Sequence, residues 1–530
     1  MNWLSARADY IGQIKGELVL KRALLGIALS AVLVLSACSS SQSSSGAANE
    51  PKDLVVAFGS EPVTLDPQDT SDGISNNANE LIFDKLVTLD KNNAIVPQLA
   101  KEWTTSPDGK KITFKLREGA KFTDGTPVNA ESVKYTFDRV INKDNKLNRY
   151  SLYAEFIDKV NVDSEYQVSF DLKFPFGPAL ITFAHTNGGI QSPKNIKEKG
   201  KDVGKSPVGS GPYKVKEWVP GNKLVFEANP DYWGEKPKMR TITFKPVAEN
   251  SARSVMLETG EADIIVPVVT TDVDRLKSND KVKVSVEPSS RNLYMSINTT
   301  KAPFDNPKVR QAVNYAVDKE TIVKKILSGQ AKVSDAAIGE MVWGYSSAGA
   351  YPYDPEKAKQ LLAEAGVKPG TTIKLWTPDG RYLMDRQIAE FIQGNLQAVG
   401  FKVEYRKWEF GAFQEATRDP KAEFDLALNS WGTSTNDADW GLRPILMTKG
   451  ASNYSKLADP QLDALIDKGM KAASPDERKK IYSDALKLVK DQAPWIFLLD
   501  YKQTTGYRSN LDNVYSWSNE RLILRDVVKK

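Results

Sequence analysis

"TIKLWTPDGRYLMDRQIAEFIQGNLQAVGFKVEYRKW", residues 372–408, decides the fold class. "TIKLW" (372–376) reads as a strand, "TPDGR" as a loop, and Asp385 to Val399 as an amphipathic helix that stops at Gly400. "FKVEYRKW" then alternates Phe401, Val403 and Tyr405 on one face, the spacing of a second strand. Strand, helix and strand in so short a span make a βαβ unit, and a crossover helix returns the chain in the same direction, so the two strands should be parallel. Further on, "FDLALNS" (424–430) is a third strand, and it runs straight into "WGTSTNDADW" (431–440). Ligands in open α/β sheets bind beyond the carboxyl ends of the strands. Arg381 follows one such end, and Ser434, Asp437 and Asp439 follow another. If the strands are neighbours, a cation and a polar, acidic loop converge on one cleft.

The rest of the chain keeps the same α/β mixture. "KITFKL" places Ile112, Phe114 and Leu116 in alternation, and "NAESVKYTFDRV" reads as a helix capped by Asn129. "SGPYKVKEW" and "KLVFEA" are a strand pair broken at Pro220-Gly221. Asn306-Pro307 opens a helix over "KVRQAVNYAVDKETIVKKIL", with Val309, Ala312, Val313, Ala316 and Val317 on one stripe, then Val323, Ile326 and Leu327. Another helix begins at Asp354-Pro355 and stops at Gly366. Ser474 to Glu477 form a capping box for a late helix, and "WIFLL" reads as a buried strand.

Length and charge exclude several functions. A chain of 530 residues is too long for one core, so two or three domains are expected. The net charge of +5 is spread without a Lys/Arg block, which argues against nucleic acid as a partner. One cysteine, Cys38, and one histidine, His185, exclude an intrachain disulfide framework and a multi-His/Cys metal site. No cofactor is expected.

At the N-terminus, Lys21-Arg22 precede the apolar run "ALLGIALSAVLVL" (23–35), too short to span a bilayer and suited to a secretory signal. Leu35-Ser36-Ala37-Cys38 is similar to a bacterial lipobox, in which cleavage leaves the cysteine as a lipidated N-terminus. The Ser-rich stretch behind it suits a tether. The reading is a signal peptide over 1–37 and an anchored tether over 38–52. The twenty residues before the basic pair exceed what a signal needs, so the true start is expected near Leu18 or Val19.

Catalytic motifs are thin. His185, in "FAHTNGG", has no serine elbow nearby and is read as structural. "GKDVGKS" (200–206) falls one residue short of a phosphate loop. Asp437 and Asp439 stand at i and i+2 on one short loop, whereas glycosidases bring carboxylates from separate elements. For "WGTSTNDADW" two readings stay open: a pocket wall, or a capped turn whose tryptophans fill core. Arg381 is equally open, to a ligand or to Asp379 or Asp385.

Eight segments, in order, carry a resemblance: "SEPVTLDPQDTSD" (60–72), "LVTLDKNNAIVPQLAKEW" (86–103), "FKLREGAKFTDGTPVNAESVKYTFDRV" (114–140), "PVGSGPYKVKEW" (207–218), "NPDYWGEKPK" (229–238), "MLETGEADI" (256–264), "TKAPFDNPKVRQAVNYAVDKETIV" (300–323) and "YDPEKAKQLLAEAG" (353–366). Together the chain resembles the extracytoplasmic solute-binding proteins of peptide and nickel ABC importers. The resemblance implies a periplasmic-binding-protein-like α/β fold in its three-domain, cluster C form with mixed sheets. Two lobes close on a cleft, and the captured solute passes to a membrane permease. It implies an N-terminal lobe over 53–300 with an extra domain inserted at about 87–195, a C-terminal lobe over 301–500, and a return segment over 501–530. It also implies a monomer, lipid-anchored on the extracytoplasmic face of the cell membrane, and no enzyme activity.

"LNRYSLYAEF" (147–156) and "WGTSTNDADWGLRPIL" (431–446) look most like the glutathione-binding members. In dipeptide and oligopeptide binders an aspartate three positions after the loop tryptophan holds the ligand's amino group; here that position is Ser434. Asp437 is then expected to supply the negative charge, and Trp431 to cover an apolar or backbone face. An arginine after the earlier strand pairs with the ligand carboxylate in dipeptide binders, and Arg381 falls near that place once a small gap is allowed. Tyr294, where the chain recrosses between lobes, and Asp72, in the N-terminal loop, are further pocket candidates against hinge or core packing. The rival ligands are oligopeptides and nickel or metallophore chelates; the rival class is a secreted hydrolase.

Overall fold

The computed structural model describes residues 52–419 and 421–530; the signal segment, Cys38 and the serines behind it lie outside the described residues. The chain from Pro51 to Lys530 is one compact unit. Its centre is an eleven-stranded sheet. From one edge the strands run Lys402–Trp408, Thr372–Pro378, Leu426–Gly432, Val282–Ile297, Trp495–Arg508, Ile264–Val266, Lys52–Phe58, Met239–Pro246, Lys223–Ala228 and Tyr213–Val219. Ala331–Val333 pairs to the side of Trp495–Arg508.

The expected βαβ unit is present. Ile373 lies opposite Val403 and Leu375 opposite Tyr405 in a parallel pair, with the helix Asp385–Ala398 between them in sequence. Leu426–Gly432 is the parallel neighbour on the other side, with Leu375 opposite Leu426. Three carboxyl ends therefore open on the same edge, as ligand sites in such sheets require.

Two long strands tie the sheet together. Val282–Ile297 and Trp495–Arg508 run antiparallel, and their register breaks between Pro288 and Asn292 and again between Leu293 and Tyr294. Pro288 has no N–H to give the ladder. The residues after it bond elsewhere: Ser290 N donates to Ser518 O at 2.7 Å, Ser289 Oγ to Tyr501 O at 2.9 Å, and Thr433 N to Ser290 O at 3.2 Å. The break is thus satisfied locally, and it divides the sheet into one half around residues 52–58 and 213–266 and another around 372–432.

A separate antiparallel sheet of Ala100–Thr105, Lys111–Leu116, Gln167–Leu172 and Ile157–Ser164 has its own core. Ile112, Phe114 and Leu116 are buried, as their alternation predicts, and Phe114, Phe137, Phe170 and Phe183 meet edge to face or tilted. Helix Ala130–Ile141 covers it, with a reciprocal box between Asn129 and Ser132.

One expectation needs correction. The helix expected across 308–327 stops at Ala316 and resumes as a short turn, Lys319–Thr321, running into a π-turn, Ile322–Ile326. Asp318 takes the Thr321 N–H and hydroxyl, and its own N–H goes to Asn395 Oδ1. Local side-chain bonds outcompete the helix ladder there, while the apolar stripe stays buried.

Candidate functional site

The loop after Leu426–Gly432 is held by charge pairs within its own half. Helix Ala438–Leu446 starts directly after Asp437. Asp437 caps it, accepting from Asp439 N at 2.9 Å, and takes Arg478 on both oxygens at 2.7 and 3.1 Å. Both partners are buried and Arg478 also stacks on Trp343, so the carboxylate expected to meet an ammonium is occupied by a guanidinium. Asp439 takes Arg443 in the same bidentate manner, at 2.9 and 2.8 Å. Trp431 donates its Nε1–H to Trp440 O at 2.9 Å and lies half-buried beside that ring. Ser434 is half-buried, and its carbonyl accepts from Asn519 Nδ2 at 2.8 Å.

The other predicted residues fall in different surroundings. Arg381 is exposed and lies 4.5 Å from the Phe410 ring centroid; Asp385 holds its backbone N–H, not its guanidinium. The strands converge as expected, and among the described residues the ion pair of Asp437 is with Arg478, not with Arg381. Tyr294 is buried, stacked on Trp495 at 3.9 Å. Asp72 caps helix Gly73–Ile82 through Ser75 N at 2.7 Å.

The opposing wall comes from segments that spacing did not single out. Trp517 to Arg521 form a reverse turn, closed by Trp517 N donating to Arg521 O at 2.9 Å with Glu520 at positive φ. Arg291, at the register break, is clamped to Glu520 at 2.8–3.0 Å. A Cβ at Gly432 would lie 2.8 Å from Arg291 Nη2, so glycine lets that guanidinium cross the strand end. Burial works against the Glu520 carboxylate, but Arg291 outweighs it and holds it below the usual range.

Between the walls is a cavity of about 10 Å³ lined by His185, Thr186, Ser434, Thr435, Trp517 and Asn519, among others. It has room for about one water. Around it the polar atoms are poorly matched: His185 Nε2, Asn436 Oδ1, Ser518 Oγ, Asn519 Oδ1 and Arg521 Nε are buried with no partner. His185 Nδ1 accepts from Asn187 N at 3.2 Å, and burial together with Arg149, Arg521 and Lys85 drives the imidazole pKa well below its ordinary value. The ring is therefore neutral with its proton on Nε2, an unused donor at the cavity. Sequence reading treated His185 as structural; the one signal was the Gly188-Gly189 pair behind it, where a Cβ would meet Phe183 O and Phe83 at 2.8 and 2.7 Å.

Contacts that join the two walls include Asn519 to Ser434, Asn436 Nδ2 donating to Asn93 Oδ1 at 3.5 Å, the ion pair of Arg443 with Glu155, and Gly177 N donating to Met470 O at 3.0 Å. Among the described residues, no group of three or more His, Cys, Asp or Glu could hold a metal ion, and no helix is long and apolar enough to cross a membrane.

Comparison with known proteins bears on the family and the fold. The profile of the Bacterial extracellular solute-binding proteins, family 5 Middle, matches residues 94–453. A glutathione-binding protein GsiB of Pectobacterium atrosepticum is 34% identical over 486 residues, 89% of this chain and 94% of that one. Among solved structures, the periplasmic binding protein DppA of Helicobacter pylori in complex with the peptide STSA has a TM-score of 0.78 at 26% identity, over 90% of this chain and 98% of that one. NikZ of Campylobacter jejuni in complex with Ni(L-His) has a TM-score of 0.77 at 25% identity, over 87% and 95%.

Proposed function

This chain belongs to the bacterial extracellular solute-binding proteins of family 5, and on that premise we propose that it captures glutathione or a related short peptide for an ABC-importer permease. The observation that carries the reading is the cleft itself. Two walls from opposite sides of the break at 288–292 meet over a cavity edged with unpartnered polar atoms. A peptide is far larger than about one water, so the walls part to admit it. The two crossing strands are the hinge, and the lobes are 53–300, with its insert at about 87–195, and 301–500, with 501–530 returning to the first. On closure the ligand supplies the bonds that His185 Nε2 and Asn519 Oδ1 leave open, with Ser434 beside them at the cavity. Trp431 covers a face, Tyr294 and Asp72 support the hinge and the N-terminal loop, and Arg381 is a rim cation.

The role is capture, not catalysis, and the protein acts as a monomer. Cys38 carries the lipid that holds it on the extracytoplasmic face of the membrane. The solved relative holding Ni(L-His) supports a second reading, a metal delivered as an organic chelate.

The test is isothermal titration calorimetry of Ser39 to Lys530, stripped of ligand, against reduced glutathione, a mixed dipeptide panel and nickel–histidine. Micromolar or tighter binding of glutathione alone supports the reading. Binding of dipeptides or of the chelate without glutathione moves the ligand within the family. Steady hydrolysis of peptides or glycosides would overturn the binding role.

A further inference from the structure

We propose that Arg149 and Arg521 form a cradle for a carboxylate of the ligand, behind the wall made by His185 and the Trp517–Arg521 turn. This rests on the capture reading above and names the chemistry that the N-terminal half of the cleft selects.

Both arginines are more than nine-tenths buried, and among the described residues neither forms an ion pair. Every other charged side chain beside them is committed. Lys85 is paired with Glu80 at 2.6 Å, and Glu80 also takes the Thr186 hydroxyl at 2.5 Å. Glu520 holds Arg291, and Asp72 caps a helix. Arg149 uses Nε on Thr70 O at 2.7 Å; Arg521 Nε has no partner. The two heads approach one loop: Arg149 at Thr70, and Arg521 Nη1 at 3.8 Å from where a Cβ on Gly73 would stand. Arg521 shares its surroundings with Glu80, Glu520, Asp72 and Arg291, each of them already engaged elsewhere.

A buried, unpaired guanidinium pair is unfavourable for the protein alone, because each charge is desolvated and repels the other. Burial and Arg521 draw Arg149 down to about 10, still fully charged at neutral pH. The arrangement is compensated when an anion binds, and a carboxylate matches the planar fork. Burial, reinforced by the nearby cations, keeps His185 neutral, so its Nε2–H adds a donor and no charge.

The experiment compares wild type, R149Q, R521Q and R521K in calorimetry with reduced glutathione and glutathione diethyl ester, and in thermal unfolding with and without succinate. The expected result is that the ester binds wild type, and glutathione binds each Gln variant, roughly thirtyfold or more weakly than glutathione binds wild type, with R521K between. Unliganded Gln variants should melt no lower than wild type, since removal of an unpaired buried charge relieves repulsion. Glutathione binding within threefold of wild type in both Gln variants overturns the cradle and leaves the capture reading intact; so does an ester that binds as well as the acid. Gln variants that melt far below wild type make the arginines structural and also overturn it. If wild type ignores glutathione, that ligand falls and succinate decides the cradle. A melting shift in wild type and none in the Gln variants sustains it, while no shift in wild type refutes it.

Discussion

The two walls of the cleft handle buried charge in opposite ways. On the 431–446 side every buried charge is matched, with Asp437 on Arg478 and Asp439 on Arg443. On the side built from 149, 185 and 517–521, Arg149 and Arg521 stand without a carboxylate of their own. Matched pairs fix geometry and leave nothing over for a ligand. Unmatched groups cost stability and supply recognition. The loop that looked most like a binding site in the sequence has its buried carboxylates occupied by arginines, while the side that looked bland holds the unmatched arginines.

The largest effect that could break this contrast is at Asp437. Its replacement by alanine strands Arg478 as a buried, unpaired cation, so denaturant unfolding should show a loss of about 3–5 kcal/mol. A loss under about 1 kcal/mol would place Asp437 with the recognition groups instead.

Next is Asp500, a buried carboxyl at the crossing strands, where burial pushes the pKa up to about 7 against one hydrogen bond from Ser334 at 2.8 Å. Its folded pKa lies above its unfolded one, so the folded state binds the proton more tightly. Its contribution is present below about pH 4 and is lost as pH rises to about 7. D500N should therefore gain roughly 2–4 kcal/mol at pH 8 and little at pH 4, measured by unfolding at both pH values.

Smaller still is N519A, which removes the bond across the cleft to Ser434 O. Ligand affinity should fall by about 1 kcal/mol in calorimetry with unfolding nearly unchanged. The smallest is E155Q. Its pair with Arg443 is partly exposed and Asp439 still holds the arginine, so affinity should change by no more than about 1 kcal/mol, and less at high salt.

The fold was legible wherever periodicity is local. The βαβ unit at 372–408, the strand of Ile112, Phe114 and Leu116, and the Asn129 cap all formed as spacing implied, because each depends on neighbours in sequence. The break at Val317–Asp318 escaped because the apolar stripe runs on unbroken while Asp318 and Asn395 redirect the backbone. Ser434 lines the small cavity, as its position after a strand implies. The proximity of Arg149, His185 and Arg521 was not legible, because the chain brings them together from three distant segments. Pairing has the same blindness: nothing near 437 in sequence announces that Arg478 will occupy it.

The most direct test of closure on a peptide-like solute is small-angle X-ray scattering of Ser39 to Lys530 titrated with reduced glutathione. The account predicts a radius of gyration that falls on addition of ligand and saturates at one equivalent, as the halves fold about residues 288–292. Binding heat at that stoichiometry with an unchanged radius would contradict it.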